Sequence, residues 1–253
     1  MNTEILYGIH SVQESIKAGR RSFFEIYIKK DKISKRLEDI QSSAKDLNIQ
    51  VHRIDGLALK KITGTDLHQG VAVKVSPYPI VGMGDLISIR KKDSGKHFIL
   101  LLDNVVDPQN LGALIRTALC VGVDGIIITK DRSARLTPAV SRASAGALEH
   151  CLISKVTNLS TTIKALKENG VWIAGMDSEA SQSVFEADLT ISIAVIIGGE
   201  DKGIRPLVKK SCDFLVSIPQ TGKIDSLNAS AAGAVVMYEV FRQRHVSKNT
   251  DMT

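Results

Sequence analysis

Residues 189–204 read LTISIAVIIGGEDKGI, an aliphatic run that ends at two glycines and is followed at once by charged residues. A continuous apolar run bounded by glycines is typical of a strand buried on both faces of a parallel sheet. Gly198 and Gly199 would let the backbone approach a ligand closely, and Glu200 stands at the mouth of the strand. The segment predicts a strand over 189–199 and a functional loop directly after it.

Residues 97–245 alternate short apolar runs with helical segments, and the helix after the first run has the strongest start signal. Asp107 is a good N-cap residue and Pro108 suits the first helical position. The alternation predicts an α/β fold with a mainly parallel sheet and helices on both faces. Strands are predicted at 97–105, 125–129, 152–156, 171–176, 189–199 and 214–219. Helices are predicted at 107–123, 137–150, 159–170, 205–212 and 226–245.

Residues 1–76 form a smaller α/β module in the predicted organisation. Its predicted helices are 7–20, ending at Gly19, 32–49 and 57–64, and its predicted strands are 24–30, 49–54 and 68–79. The following stretch contains helix breakers and the charged run RKKDSGK, which is typical of a linker. The predicted organisation is therefore a domain at 1–76, a linker at 77–96, a second domain at 97–245 and a tail at 246–253.

The net charge of +6 lies entirely in the first part of the chain. Residues 1–96 hold 17 basic and 11 acidic side chains, whereas the remaining residues hold 16 of each. A basic region beside a neutral one indicates a module that binds a polyanion. The alternative is a surface that lysine keeps soluble. Aromatic residues make up only 4% of the chain, which argues against a platform for stacking single-stranded bases.

Several classes of protein are disfavoured by features that the sequence lacks. Cys120, Cys151 and Cys212 are widely spaced and form no CxxC pair, so neither a zinc site nor a disulfide framework is predicted. No apolar run reaches the roughly 18 residues of a membrane span, and the first residues lack a signal-peptide pattern. A cytoplasmic protein without membrane contact is therefore expected. The dinucleotide and P-loop fingerprints are absent, which argues against both kinds of nucleotide site.

Three polar segments leave predicted strands: DNVVDPQNLGALIR at 103–116, GGEDKG at 198–203 and IPQTGKIDSLNAS at 218–230. Because the carboxyl ends of parallel strands meet at one edge of a sheet, we expect these segments to surround one ligand site. A hydrolytic pair made of Glu200 and Asp201 is disfavoured, since adjacent carboxylates rarely converge on one bond.

In this order the three segments resemble the motifs of the SpoU/TrmH family of RNA ribose 2′-O-methyltransferases, within the SPOUT superfamily. The first motif, NxxxxxR, runs from Asn110 to Arg116, and the second begins at Gly198. The third, IPxxGxxxSLNxSxAxG, runs from Ile218 to Gly233. In the N-terminal module, GIHSVQESIKAG and HQGVAV resemble the L30e-like RNA-binding domain of the RlmB-like branch.

The resemblance implies a deep trefoil knot near the C-terminus, an L30e-like fold for residues 1–76 and a homodimer. The small side chains of ASAAGAVV (229–236) suit the close packing of a threaded chain or a dimer interface. The alternative is an alanine-rich helix with good intrinsic propensity.

The implied reaction is transfer of a methyl group from S-adenosylmethionine to a ribose 2′-hydroxyl, at a guanosine of large-subunit (23S) ribosomal RNA. Transfer RNA is the alternative substrate. A non-catalytic RNA-binding assembly factor is the alternative function, and a nucleotide-dependent oxidoreductase is disfavoured by the missing fingerprint. No metal is implied.

The resemblance assigns five residues to cofactor binding, largely through backbone groups. Ile218 and Leu227 have an alternative reading as ordinary core residues, because aliphatic side chains can enclose an adenine or fill a core. The five residues are Gly198, Gly199, Ile218, Ser226 and Leu227.

Five residues match polar active-site positions of the family. Arg116 matches a catalytic arginine, but a guanidinium has no free acceptor and a pKa above about 12, so binding of an RNA phosphate is the simpler role. Asn110 would hold a loop or the ribose, and Glu200 would anchor Arg116 or bind main-chain N–H groups. Ser226 and Asn228 open the last helix as natural N-caps. Asn110 and Arg116 converge only if Asn110 lies in the first helical turn or before it, since six residues span about 240°.

Overall fold

The computed structural model describes residues 2–31, 34–91, 95–223 and 226–250, which pack as two compact units. The small unit consists of Met1–Pro79 with Arg135–His150, and the large unit consists of Ile80–Ala134 with Cys151–Thr253. Ile33 of the predicted helix at 32–49 and the end of the predicted tail lie outside the described residues.

The strands and helices alternate along the chain, as the sequence predicts. The strands are β1 (Glu4–Tyr7), β2 (Phe23–Lys29), β3 (Gln50–Ile54), β4 (Val71–Val75), β5 (Phe98–Asp103), β6 (Gly125–Thr129), β7 (Ile153–Val156), β8 (Trp172–Met176), β9 (Ile193–Gly198) and β10 (Phe214–Val216). The helices are α1 (Ile9–Ala18), α2 (Lys35–Asp46), α3 (Gly56–Thr63), α4 (Met83–Lys91), α5 (Pro108–Cys120), α6 (Pro138–Ala143), α7 (Leu159–Glu168), α8 (Pro206–Lys209) and α9 (Ala229–Thr250). A 3₁₀ turn covers Ala147–His150.

The small unit contains a four-stranded sheet in the order β1-β4-β2-β3. Strands β2 and β3 run parallel, and β4 runs antiparallel to β1 and β2. As predicted, Gly19 and Gly64 end α1 and α3, with φ angles of 60° and 71° that favour glycine. The predicted α/β module is therefore confirmed, whereas its likeness to L30e stays a prediction.

The large unit contains a six-stranded sheet in the order β10-β8-β9-β5-β6-β7, and every pairing in it is parallel. Successive side chains of β5 point to opposite faces, and Leu100, Leu101 and Leu102 are all fully buried. The face of Leu101 packs on side chains of α4, α7 and α8, and α9 packs on β9. The predicted parallel sheet is confirmed, and the trefoil knot stays a prediction.

Several predicted elements differ in extent from the observed ones. The strand predicted at 189–199 begins only at Ile193, and the linker predicted at 77–96 contains helix α4. Leu86 of α4 is buried in the core of the large unit, so this part of the stretch is a packed element. Helix α9 continues to Thr250, so it includes the first residues of the predicted tail. Among the described helices, none is long and apolar enough to cross a membrane.

The single helix predicted at 137–150 is wrong, because α6 stops and a 3₁₀ turn follows it. Between them Ala145 and Gly146 adopt left-handed backbone angles, with φ of 52° and 86°. The break turns Glu149 inward, where its side chain is almost fully buried. A continuous helix would not place this carboxylate against its partner in the small unit, Arg21.

Arg21 and Glu149 are the centre of a buried polar network in the small unit. Arg21 donates to both oxygens of Glu149, at 2.7 Å from Nε and 3.1 Å from Nη2. Its Nη1 donates to Glu4 at 2.6 Å and to the carbonyl of Ser76 at 2.9 Å, and Ser141 donates to Glu149 at 2.8 Å. Each polar group of this network meets a protein partner, which is what a buried charge needs to be tolerated.

Candidate active site

Strands β5 and β9 end side by side at one edge of the large sheet, where Asp103 pairs with Gly198. The carboxylate of Asp103 is fully buried and accepts two hydrogen bonds from Arg205, at 2.9 Å from the backbone N–H and 2.8 Å from Nε. The carbonyl of Asp103 accepts from the N–H of Gly199 at 2.8 Å. A residue at the end of β5 thus fixes both ends of the loop 199–205.

Gly198 and Gly199 are required by the packing of this loop. A methyl group on Gly198 would lie 2.1 Å from the carbonyl carbon of Gly203. One on Gly199 would lie 2.3 Å from the backbone oxygen of Asn104. Both approaches are with backbone atoms, which cannot rotate away. The two glycines therefore have a structural reason inside the protein, beside the predicted approach to a ligand.

Asn110, Glu200 and Asn228, three of the five residues predicted to be catalytic, form one hydrogen-bonded cluster. Asn110 Nδ2 donates to Glu200 Oε1 at 2.9 Å. Asn228 Nδ2 donates to the same oxygen and, at 3.0 Å, to Asn110 Oδ1. Glu200 Oε2 has no hydrogen bond to a residue that the structure describes. Glu200 therefore binds side-chain amides, and the expectation that it anchors Arg116 or binds main-chain N–H groups is wrong within one chain.

The start of α5 sets the position of Asn110. Asp107 is the N-cap, and its carboxylate accepts from the N–H groups of Gln109 at 3.2 Å and Asn110 at 3.1 Å. Asn110 consequently lies in the first helical turn and is 92% buried, with 8% of its surface exposed. The predicted cap is confirmed, and Asn110 meets the condition that was necessary for it to converge with Arg116.

The start of α9 orients Asn228 in the same way. Asn228 Oδ1 accepts from the N–H groups of Ser230 at 2.9 Å and Ala231 at 3.3 Å, as an N-cap does. Because the helix uses the oxygen, the amide nitrogen faces Glu200. Of the two predicted caps, Asn228 is the one used, and Ser226 lies just outside the helix.

A cavity of about 530 Å³ lies at the carboxyl ends of β8, β9 and β10. Glu200 of the cluster lines it, and the aliphatic side chain of Leu227 is 43% exposed beside it. Its lining includes every residue predicted to bind the cofactor: Gly198, Gly199, Ile218, Ser226 and Leu227.

Charged residues that follow β8 also line this cavity, and they were not among the predicted site residues. Asp177 and Glu179 line it, as does Lys209, which forms an ion pair with Asp177. Burial acts to raise the pKa of Asp177, but hydrogen bonds from Lys209 and the N–H of Glu179 outweigh it and hold the pKa below its ordinary value. The rule that ligands bind at strand ends, applied to 171–176, would have found them.

A second cavity of about 340 Å³ lies at the ends of β5 and β6 and shares residues 199–203 with the first cavity. Asn110 and Glu200 line it together with Asn104, Val106 and Arg132. The Asn110–Glu200–Asn228 cluster therefore lies where two cavities meet, since Glu200 borders both.

Arg116 does not join the cluster of its own chain, although Asn110 lies in the first turn. Six residues on an ideal helix correspond to about 240° of rotation and about 9 Å of rise. The side chain of Arg116 is exposed, forms no ion pair with a described residue and lines neither cavity. Leu119 and Cys120, one turn further on, are exposed on the same face of α5.

A parallel α/β sheet with a site at its strand ends can serve many functions, and comparison with known proteins identifies the class to which this protein belongs. The model of the SpoU rRNA Methylase family matches residues 97–238. A model for RNA 2′-O ribose methyltransferase substrate binding matches residues 5–81. The chain belongs to the SpoU rRNA methylase family, in the SPOUT superfamily.

Relatives align along nearly the whole chain. A protein of Staphylococcus aureus (strain MSSA476), named as a TrmH family tRNA/rRNA methyltransferase, is 39% identical over 245 residues, which cover 97% of this chain and 98% of the relative. A protein of the same name from Staphylococcus saprophyticus is 39% identical over 250 residues, with the same coverage.

Solved structures share the fold. The SpoU methyltransferase AviRb of Streptomyces viridochromogenes, in complex with AdoMet, superposes with a TM-score of 0.81 at 23% identity, covering 95% of this chain and 89% of that one. An AdoMet-bound rRNA methyltransferase of Sinorhizobium meliloti gives a TM-score of 0.77 at 22% identity, covering 95% and 87%. SpoU methyltransferases use S-adenosylmethionine as methyl donor.

Proposed function

We propose that the protein methylates the ribose 2′-hydroxyl of a guanosine in 23S ribosomal RNA, in the cytoplasm and with S-adenosylmethionine as donor. The observation that carries the proposal is the Asn110–Glu200–Asn228 cluster, whose Glu200 borders two cavities that share residues 199–203 and Ala229 and differ in the rest of their lining. One cavity suits the methyl donor, and the other opens on the same carboxylate. Family membership supports RNA as the substrate class.

The residues of the first cavity fit S-adenosylmethionine. Ile218 and Leu227 offer aliphatic surface for an adenine ring, and the backbone of the loop 198–203 offers hydrogen-bonding groups. Asp177 and Glu179 place carboxylates in the same cavity, where they suit ribose hydroxyls or an ammonium group. When bound, S-adenosylmethionine supplies an electrophilic methyl group on a positively charged sulfur.

The cluster orients the acceptor hydroxyl. Two asparagine amides hold Glu200 through Oε1, which leaves Oε2 to accept a hydrogen bond from the 2′-hydroxyl. The hydroxyl oxygen forms the new bond to the methyl carbon as the carbon–sulfur bond breaks, and the hydroxyl proton leaves to solvent. Orientation is the main contribution, because well-aligned reactants lose much of the entropic part of the barrier.

Arg116 would act from the second subunit of a homodimer. Its side chain is exposed on the same face of α5 as Leu119, of which 40% is exposed, and it lies away from the cluster of its own chain. A pair of such faces related by a twofold axis would place each Arg116 towards the other subunit's site. There its guanidinium would bind the RNA phosphate next to the target ribose.

Mixed dimers test the role of Arg116. Inactive Arg116→Ala subunits are combined with inactive Glu200→Ala subunits and methyl transfer is measured. If Arg116 acts across the dimer, about a quarter of wild-type activity returns, because half of randomly formed dimers are mixed and each has one intact site. No recovery, with dimers confirmed by light scattering, would contradict the proposal.

The RNA target is tested by mapping 2′-O-methyl groups in RNA from cells with and without the protein. We expect one guanosine of 23S ribosomal RNA to lose its methyl group and to regain it with the purified protein and S-adenosylmethionine. Loss at a transfer-RNA position would replace the proposed substrate by the alternative one. No lost methyl group and no binding of S-adenosylmethionine in calorimetry would favour a non-catalytic assembly factor.

A further inference from the structure

The second cavity lies between the loops that follow β5 and β6, and residues 199–203, which include Glu200, border both cavities. Its volume of about 340 Å³ is at the small end of ligand pockets, which suits a single nucleoside. The cavity reaches Asn110 and Glu200 of the cluster. A nucleotide held here would bring its ribose to the carboxylate that borders both cavities.

Two residues that line this cavity have left-handed backbone conformations. Asn104 has a φ of 61° and Arg132 a φ of 55°. Asparagine adopts this region readily, whereas arginine does so seldom. Unfavourable backbone conformations persist where the side chain or the loop geometry has a function. At this position a glycine would be easier to accommodate, so an arginine in this conformation points to a use for its guanidinium.

Neither side chain has all of its polar groups paired with residues that the structure describes. Arg132 is exposed and forms no ion pair with any residue in the described part of the chain. The side-chain oxygen of Asn104 is buried and lacks a hydrogen-bond partner among the described residues. Because this oxygen has no accessible surface, a ligand donor can reach it only after the Asn104 side chain rotates, and that rotation breaks no hydrogen bond of the oxygen to a described residue.

The remaining lining indicates which part of a nucleotide goes where. Val106 is 63% exposed and presents aliphatic surface to the cavity, which suits the face of a base. Arg132 supplies a cation suited to a phosphate. Asn104 Oδ1, once its side chain is turned into the cavity, is an acceptor suited to a base N–H, such as the donors on a guanine edge.

We propose that the cavity between the loops after β5 and β6 binds the acceptor nucleotide of the RNA, with Arg132 on its phosphate, Val106 against its base and Asn104 accepting from the base. This inference rests on the proposed function. It assigns substrate-binding roles to Asn104, Val106 and Arg132. Asn104 and Val106 lie in the first of the three strand-end segments, at 103–116, and Arg132 lies outside all three.

Arg132→Gly is the main test, because glycine suits a φ of 55° and the variant should fold. We expect the KM for 23S ribosomal RNA to rise about tenfold while kcat at saturating RNA stays within about threefold, since the contact is made before and during the reaction alike. Arg132→Lys should recover most of the affinity, because an ammonium also binds phosphate. The affinity for S-adenosylmethionine in calorimetry should be unchanged.

Lys130→Ala is the matched control, since Lys130 is an exposed cation on the same loop that does not line the cavity. We expect less than about a twofold change in KM from this variant. Asn104→Gly removes the unpaired oxygen and keeps the left-handed backbone accessible. It should weaken the RNA complex and reduce the preference for guanosine over inosine at the target position, because inosine lacks the exocyclic amino donor.

The inference is overturned if Arg132→Gly and Asn104→Gly methylate RNA with the wild-type KM. It is also overturned if either variant lowers the affinity for S-adenosylmethionine about tenfold, because the cavity would then belong to the methyl donor. Failure of the proposed function would look different, because the wild-type protein itself would transfer no methyl group to RNA. In that event, the RNA affinities of the wild-type and Arg132→Gly proteins in filter binding still decide the inference: equal affinities reject it, and about tenfold weaker binding supports it.

Discussion

The protein contains two polar networks with opposite properties. In the small unit, Arg21, Glu149 and Glu4 form a network whose central charges are buried and fully paired. In the large unit, the cluster of Asn110, Glu200 and Asn228 lies between two cavities and leaves a carboxylate oxygen unpaired with described residues. We infer that the closed network of Arg21, Glu149 and Glu4 serves stability. The open cluster of Asn110, Glu200 and Asn228 is available to a substrate.

The largest expected effect is on the closed network. Glu149→Ala leaves the buried Arg21 without its main partner, and breaking a buried ion pair in this way costs about 3–5 kcal/mol. Chemical denaturation should show the loss in the transition of the small unit. Glu168→Ala, at an exposed carboxylate, is the control and should change stability little. A loss below about 1 kcal/mol for Glu149→Ala would mean that the network is not a stability element.

The open cluster should respond in the opposite way. Glu200→Ala removes an exposed side chain, so stability should change by less than about 1 kcal/mol. Methyl transfer at saturating substrates should fall by at least about 100-fold, because a preorganised group next to the reacting atoms is lost. Circular dichroism melting and a single-turnover methylation assay measure the two quantities. Wild-type turnover in Glu200→Ala would remove Glu200 from the proposed site.

Asn228 belongs to the open cluster and also caps a helix, so substitutions of Asn228 can separate an effect on stability from an effect on methyl transfer. Asn228→Ser keeps an N-cap oxygen and should change stability by only a few tenths of a kcal/mol, whereas Asn228→Ala should cost about 1 kcal/mol. Both variants lose the amide that donates to Glu200, and both should lose methyl transfer to a similar degree. If Asn228→Ser kept both its melting temperature and its methyl-transfer activity while Asn228→Ala lost both, helix capping would be the only role of Asn228.

The smallest expected effect concerns pH in the small unit. Partial burial acts to raise the pKa of Glu14, but hydrogen bonds and charge from Lys17 and His150 outweigh it and hold the pKa below the ordinary value. The ionised carboxylate therefore stabilises the fold above that ordinary value, and the contribution is lost as the pH falls through the lowered pKa. Glu14→Gln should flatten the fall in melting temperature below about pH 4.5. Equal slopes in the two proteins would contradict this.

The local part of the fold could be predicted from sequence because its causes are local. Asp107 and Pro108 mark the start of α5, and continuous apolar runs mark the strands of the parallel sheet. The interruption of the helix predicted at 137–150 could not be predicted. It places Glu149 against Arg21, which lies 128 positions away in the chain. Intrinsic helix propensity depends on the local sequence and does not include contacts between residues so far apart in the chain.

The candidate site likewise contains residues that the sequence could predict and residues that it could not. The rule that ligands bind at strand ends, together with the family motifs, leads to Asn110, Glu200 and Asn228. It does not lead to Arg132, whose distinguishing feature is a left-handed backbone angle that the surrounding sequence does not mark. The mutual hydrogen bonds of the cluster join positions up to 118 residues apart and depend on the assembled sheet.

The double use of Asn228 gives the protein a spectroscopic reporter. Its Oδ1 binds the amide protons of Ser230 and Ala231, while its Nδ2 binds Glu200. Anything that tightens or displaces Glu200 is therefore transmitted to the first turn of α9. The exchange rates of two backbone amides with deuterium can then follow the state of the active site in solution, without any label placed in the site itself.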